Sequence, residues 1–177
     1  VSNPAPAAPG SITGPASVCA NTAGFIYSIA AVTNATTYTW TVPAGWNITA
    51  GQGTSSITVS SGASAGVIAV TAGNFCGNSS ATSLNVGVTM NGTWTGLVSS
   101  DWNNAQNWCG GIPSASTNVI IPAGTPHNPV ASATAFANNI AVDNGATLTV
   151  NNTTLQISGT ISGNNNYIFT SGTLELT

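Results

Sequence analysis

The chain has 177 residues, with no lysine or arginine, three carboxylates and one histidine, and charged residues make up 2% of it. Average soluble domains carry about 25% charged residues, yet a hydrophobic content of 42% is too high for a disordered chain. With no cation to meet a phosphate, nucleic-acid binding and recruitment to anionic membranes are excluded, and no apolar run is long enough to cross a bilayer as a helix.

Proline opens the chain. Pro4, Pro6, Pro9 and Pro15 favour an extended conformation over a helix, so residues 1–14 read as a linker or edge segment. Beyond them, β-branched residues and two-residue alternation dominate and helical periodicity is nearly absent. Strands are expected at 25–30 (FIYSIA), 37–42 (TYTWTV), 46–50 (WNITA), 56–60 (SITVS), 66–73 (GVIAVTAG) and 82–88 (TSLNVGV). Turns rich in Gly, Pro, Ser and Asn separate them. Short strands at even spacing are the mark of an antiparallel sandwich, here over residues 15–89. Trp40 lies on a strand between Cys19 and Cys76, the Cys…Trp…Cys order of immunoglobulin-like sandwiches. A Cys19–Cys76 disulfide is therefore expected, with two independent thiols as the alternative.

Residues 90–117 form a tryptophan-rich connector. The stretch GTWTGLVSSDWNNAQNWCGG carries Trp94, Trp102 and Trp108 around Asp101. Three readings compete. The indoles are a structural plug, or a glycan platform with Asn103, Asn104, Gln106 and Asn107 as hydrogen-bonding neighbours, or part of a metal-dependent site. Asp101 is expected to N-cap a short turn running through Trp108. Cys109, next to the last tryptophan, is either a buried free thiol or a covalent link to another chain or to another part of a longer parent.

From residue 118 to 177 apolar residues recur about every twenty positions: Ile140 with Ile161, Leu148 with Ile168, Leu155 with Leu174, Ile157 with Leu176. A fixed period with short strands and Gly/Asn corners points to a parallel β-solenoid. Gln156 and Glu175 hold matching outward positions. Asparagine runs at 138–139, 151–152 and 164–166 suit tight corners and inter-coil ladders. An upstream solenoid end needs a cover, which favours the plug. The closing TSGTLELT stops in a strand with no polar cap, so either the natural chain continues or another protomer completes the sheet.

Four motifs in order, GPASVC, YTWTVPAG, GQGTSSITV and NFCGNS, resemble the PKD-like, immunoglobulin-related repeats of secreted Bacteroidota surface proteins over about residues 10 to 89. The connector resembles the module that leads into solenoid coils in adhesins, gelling proteins and extracellular fibres. The resemblance implies export by the type IX route and an extracellular or cell-surface location.

Catalysis is not expected. A glycosidase sets two carboxylates about 5–10 Å apart, whereas Asp101, Asp143 and Glu175 fall in a cap, a corner and an outward face. His127 sits in the loop-like TPHNP. No carboxylates cluster as calcium requires, so neither a metal nor a cofactor is expected. The chain reads as an all-β, non-catalytic structural subunit of a self-assembling extracellular fibre, its partners copies of itself. The alternative is a carbohydrate-binding adhesin repeat that stacks glycans on Trp94, Trp102 and Trp108.

Overall fold

A computed structural model describes residues 4–163 and 167–177, and the chain divides into two units, Val1–Thr89 and Met90–Thr177. The asparagines at 164–166 lie outside the described residues.

The first unit contains β1 (Ser17–Cys19), β2 (Ala23–Ser28), β3 (Thr37–Thr41), β4 (Asn47–Ala50), β5 (Ser56–Ser60), β6 (Gly66–Asn74), β7 (Gly77–Asn78) and β8 (Thr82–Thr89). One sheet has the order β1-β8-β6-β3 with β7 also on β6, and the other has the order β2-β5-β4. All neighbours are antiparallel except β1 on β8. Strand alternation sends Ile57 and Val59 of β5 and Ile68 and Val70 of β6 inward, where they meet Tyr27, Trp40, Trp46 and Val86. Both buried indoles keep their N–H bonded, Trp40 to the Thr54 carbonyl at 2.8 Å and Trp46 to that of Ser64 at 2.9 Å. Burial raises the pKa of the Tyr27 phenol, whose hydroxyl donates to the Pro15 carbonyl at 3.0 Å. On β3, the Gln52 amide accepts from Trp40 N at 3.0 Å and donates to Trp40 O at 2.9 Å. It thereby occupies backbone groups that an exposed edge would offer to another strand.

The proline-rich segment is no free linker. Pro6, Pro9 and Ile12 are buried, the three-residue period of a polyproline II helix laid on one side. Asn74 Nδ2 donates to the Pro4 carbonyl at 2.8 Å, Thr82 Oγ1 bonds the Pro9 carbonyl, and Thr13 pairs with Ser28. Two strands escaped the sequence reading, β1 and β7, because two or three residues are too few to show alternation.

The expected Cys19–Cys76 bond does not form. Cys76 is free and exposed on the β6–β7 turn, whereas Cys19 is disulfide-bonded. Sheet topology explains the correction. Cys19 stands level with Thr89 at the end of β8, and antiparallel β6 starts near that end, with Gly66 opposite Val86. Cys76 follows the far end of β6. Gly66 to Asn74 alone spans about 26 Å at about 3.3 Å per residue, against the roughly 4–7 Å between disulfide-linked Cα atoms. One thiol per chain is therefore expected to react under native conditions. Thiol titration followed by peptide mapping should place it at Cys76; labelling of Cys19 or Cys109, or no labelling, would contradict this.

The second unit contains β9 (Val119–Ile121), β10 (Val130–Ala131), β11 (Ala135–Ala137), β12 (Ile140–Val142), β13 (Leu148–Asn151), β14 (Thr154–Ile157), β15 (Ile161–Gly163), β16 (Tyr167–Thr170) and β17 (Thr173–Leu176). Every third strand stacks, giving three parallel sheets: β9-β12-β15, β10-β13-β16 and β11-β14-β17. Ile140 pairs with Ile161, Leu155 with Leu174 and Ile157 with Leu176, as the periodicity indicates. Leu148 instead pairs with Tyr167, and Ile168 pairs with Thr149. A one-residue slip turns a side chain to the opposite face, and Ile168 is accordingly exposed. Gln156 pairs with Glu175 and donates to its carboxylate at 3.0 Å. At one corner Asn118 Oδ1 accepts from Asn138 and Asn139, and Asn139 Oδ1 accepts from the Thr160 amide and hydroxyl, at 2.8–3.0 Å. These side chains bridge successive strands as the asparagine ladder required.

Candidate functional site

The tryptophan segment pairs with the upstream edges of the first strands of the second unit. Thr93 forms a parallel bridge with Ile120 of β9, and Asp101 forms one with Val130 of β10. Ile120 N donates to Gly92 O at 3.1 Å and Trp94 N to Ile120 O at 2.8 Å. Val130 N donates to Ser100 O at 2.7 Å and Trp102 N to Val130 O at 3.0 Å. Two short stretches thus take the place of an additional strand on two of the three sheets.

Their tryptophans turn inward. Trp94 and Trp102 have no exposed surface and Trp108 has 5%. Trp108 stands edge-to-face on both others, with centroids 4.8 Å from Trp94 and 4.7 Å from Trp102. The three rings share one core with Ala131, Ala135 and Ala137. In the next strands Leu155 and Ile157 hold the positions in register with Ala135 and Ala137. Small residues next to the cap leave volume that the indoles occupy.

Two polar residues hold this arrangement, and neither role is legible along the chain. Asn107 is completely buried. Its Oδ1 accepts from Val98 N and Ser99 N, both at 3.0 Å, and its Nδ2 donates to Ser99 Oγ at 3.0 Å and Asp101 O at 2.9 Å. Its carbonyl also accepts from Thr95 N at 2.7 Å. His127 lies beside the same loop. Its carbonyl accepts from Trp94 Nε1 at 2.7 Å, and its Nδ1 is 2.8 Å from the Gly96 carbonyl. A carbonyl only accepts, so Nδ1 carries the proton. Gly96 is required there: at φ +55° its Cβ would lie 2.3 Å from His127 O. The histidine clamps the loop through these two contacts.

Asp101 does not cap the helical turn. That turn is a 3-10 segment, Ala105–Asn107, capped by the Asn104 side chain on Gln106 N, while Asp101 Oδ1 accepts from Asn103 N at 2.9 Å. The Asn103 amide donates to Thr134 O at 3.3 Å. Side chains read as sugar ligands are thus engaged in holding the loop. A glycan platform also needs an exposed ring face, and none of the three indoles offers one. Cys109 is 2% exposed and disulfide-bonded, so no thiol is left there to link another chain. Trp108 Nε1 donates to Trp102 O at 2.7 Å, whereas Trp102 Nε1 is buried without a partner among the described residues.

The charged groups remain apart in the fold: Asp101 in the cap, Asp143 in the turn closed by Ala146 N on its carbonyl, and Glu175 on β17. Among the described residues no three His, Cys, Asp or Glu side chains lie together as metal ligands would, and no helix is long and apolar enough to cross a membrane.

An antiparallel sandwich with its Trp-centred core, reached by an N-terminal segment packed from Pro4 onward, delimits the first family assignment. Residues 5–86 match the PKD-like domain family. The PKD-like domain thus includes most of the proline segment, in keeping with the burial of Pro6 and Pro9. Residues 93–173 match a second family, described as Domain of unknown function (DUF8693), which takes in the cap and nearly all of the three parallel sheets. No curated protein and no solved structure matches the chain significantly. A PKD-like domain together with a disulfide fits an extracellular protein.

Proposed function

We propose that the chain is a non-catalytic structural module of an extracellular, self-assembling surface fibre, in which a PKD-like sandwich precedes a short parallel β-solenoid. The solenoid reading rests on three strands per turn stacking in register at the spacing of the sequence repeat. The observation that carries the assembly reading is the near absence of charge, 2% of the chain. Edge strands of ordinary proteins are guarded by lysines or other charges; this chain has no lysine or arginine. A nearly uncharged surface removes the repulsion that keeps copies apart. The tryptophans serve as the upstream plug. Secretion by the type IX route, as in the Bacteroidota surface proteins that the sequence resembles, belongs to the same proposal.

Electron microscopy of concentrated, unboiled protein tests it. Filaments with a protomer-sized repeat are expected. Particles that stay monomeric at high concentration would refute self-assembly.

A further inference from the structure

The first unit has no charged side chain, since Asp101, Asp143 and Glu175 all lie beyond it. The usual guard of an exposed edge strand, a lysine or another charge, is therefore missing, and its outer strands need other protection. β1 is three residues long. β2 and β4 carry register shifts, between Ala23 and Phe25 and between Ile48 and Ala50. Short strands and bulges both discourage edge pairing. β3 has neither device. Thr37 to Thr41 pair with β6 in unbroken register, and β3 ends its sheet.

The loop of the GQGT motif lies along that edge. Tyr38 N donates to Gly53 O at 3.1 Å. Trp40, opposite Val70 of β6, turns its amide and carbonyl away from that strand. Its N donates to Gln52 Oε1 at 3.0 Å, and its O accepts from Gln52 Nε2 at 2.9 Å. Trp40 Nε1 donates to Thr54 O at 2.8 Å. Three consecutive residues thus meet β3, and the Gln52 amide presents the donor and acceptor that a strand's backbone would present. Thr54 closes the loop on Gly51 O through its N and Oγ1, at 3.0 and 2.9 Å. Gly51 is required for the turn back over the edge: at φ +85° its Cβ would lie 2.1 Å from Ser56 O.

We propose that Gln52 is an uncharged edge lock, which keeps β3 from pairing with β3 of a second copy. A lysine guards an edge by opposing the partner's approach; the Gln52 amide guards it by saturating the strand's own groups. Without the amide, both backbone groups of Trp40 are open. In a uniform sample the edge that meets them is the same edge of another molecule. Two copies of β3 related by a two-fold axis run antiparallel and make an isologous contact. Thr37, Thr39 and Thr41, which alternate with Tyr38 and Trp40, are β-branched residues suited to such a strand. No charge in the unit opposes the contact. The inference stands apart from the assembly reading above, because it names an edge that the native chain keeps out of any assembly.

Sedimentation of the intact chain, with amide exchange read residue by residue, tests the lock on Gln52→Ala and Gln52→Lys. Both variants lose the acceptor for Trp40 N, but only lysine puts a charge on the edge. Gln52→Ala is expected to self-associate at least about tenfold more tightly than wild type. Its Trp40 amide should exchange fast in dilute solution and become protected on association. Gln52→Lys should stay within about threefold of wild type, with that amide open at every concentration. Circular dichroism checks that each variant is folded. If alanine unfolds the sandwich, Gln52→Asn, whose amide is one methylene too short for both bonds, reads the same edge. Association no tighter than wild type once the amide pair is lost would overturn the proposal. Equal association of the alanine and lysine variants would do the same, since it would trace the effect to lost stability. So would a Trp40 amide that stays open in the associated alanine variant.

Discussion

Asn107→Ala is expected to destabilise the second unit by on the order of 4 kcal/mol, since each buried polar group left without its partner costs about 1–3 kcal/mol. The alanine removes the acceptor of two backbone amides, Val98 and Ser99, and the donor to the Asp101 carbonyl. Asp101 also bridges the cap to β10, so the loss reaches the pairing that closes the first strands. Asn107→Asp separates the contributions. It keeps both acceptor bonds but sets a buried carboxylate oxygen against the Asp101 carbonyl, acceptor against acceptor, and should cost at least as much as alanine. Denaturant unfolding followed by tryptophan fluorescence reads the effect, with the PKD-like domain's own transition fitted separately. A loss below about 1 kcal/mol for Asn107→Ala would mean that the loop holds its shape without the amide.

Trp108→Ala should cost about as much, on the order of 4–5 kcal/mol, from the usual 3–5 kcal/mol for emptying a buried tryptophan site and the loss of edge-to-face contacts. Trp108 touches both other rings and donates its indole N–H to Trp102 O. Trp108→Phe keeps part of the ring contact but leaves that carbonyl without its donor, so an intermediate loss is expected. Leu97, exposed in the same loop, provides the control: Leu97→Ala should stay within about 0.5 kcal/mol, as surface substitutions do. The near-ultraviolet circular dichroism of the coupled indoles should collapse in Trp108→Ala and persist in Leu97→Ala. If Trp108→Ala kept both stability and signal, the three rings would not form the plug described.

Much of the fold was legible because its signals are local. The alternation in SITVS places Ile57 and Val59 inside from sequence alone, since a strand has only two faces. The period near twenty placed Leu155 over Leu174 and Ile157 over Leu176. It missed at Leu148, where Tyr167 rather than Ile168 is the partner, because the offset between paired residues falls from 21 at Ile140 to 19 at Leu148 and an average period conceals the change. The tryptophan cluster was legible as a cluster from its spacing, and the fold buries all three rings in one core. The residues that hold it were not. Asn107 looks like any asparagine in an asparagine-rich chain, and His127 contacts Trp94 and Gly96 across more than thirty residues of sequence.

The sequence by itself determined the all-β class, the change of pattern near residue 89, the inward faces of the longer strands and the scarcity of charge, since all depend on composition and on near neighbours. Only the tertiary structure decided which cysteine stays free. Whether Cys76 can reach Cys19 depends on the direction of β6 relative to β8, and no spacing along the chain records it. The same holds for the burial of Pro6 and Pro9 and for the four side-chain bonds of Asn107. Each depends on a surface that exists only once distant strands have paired.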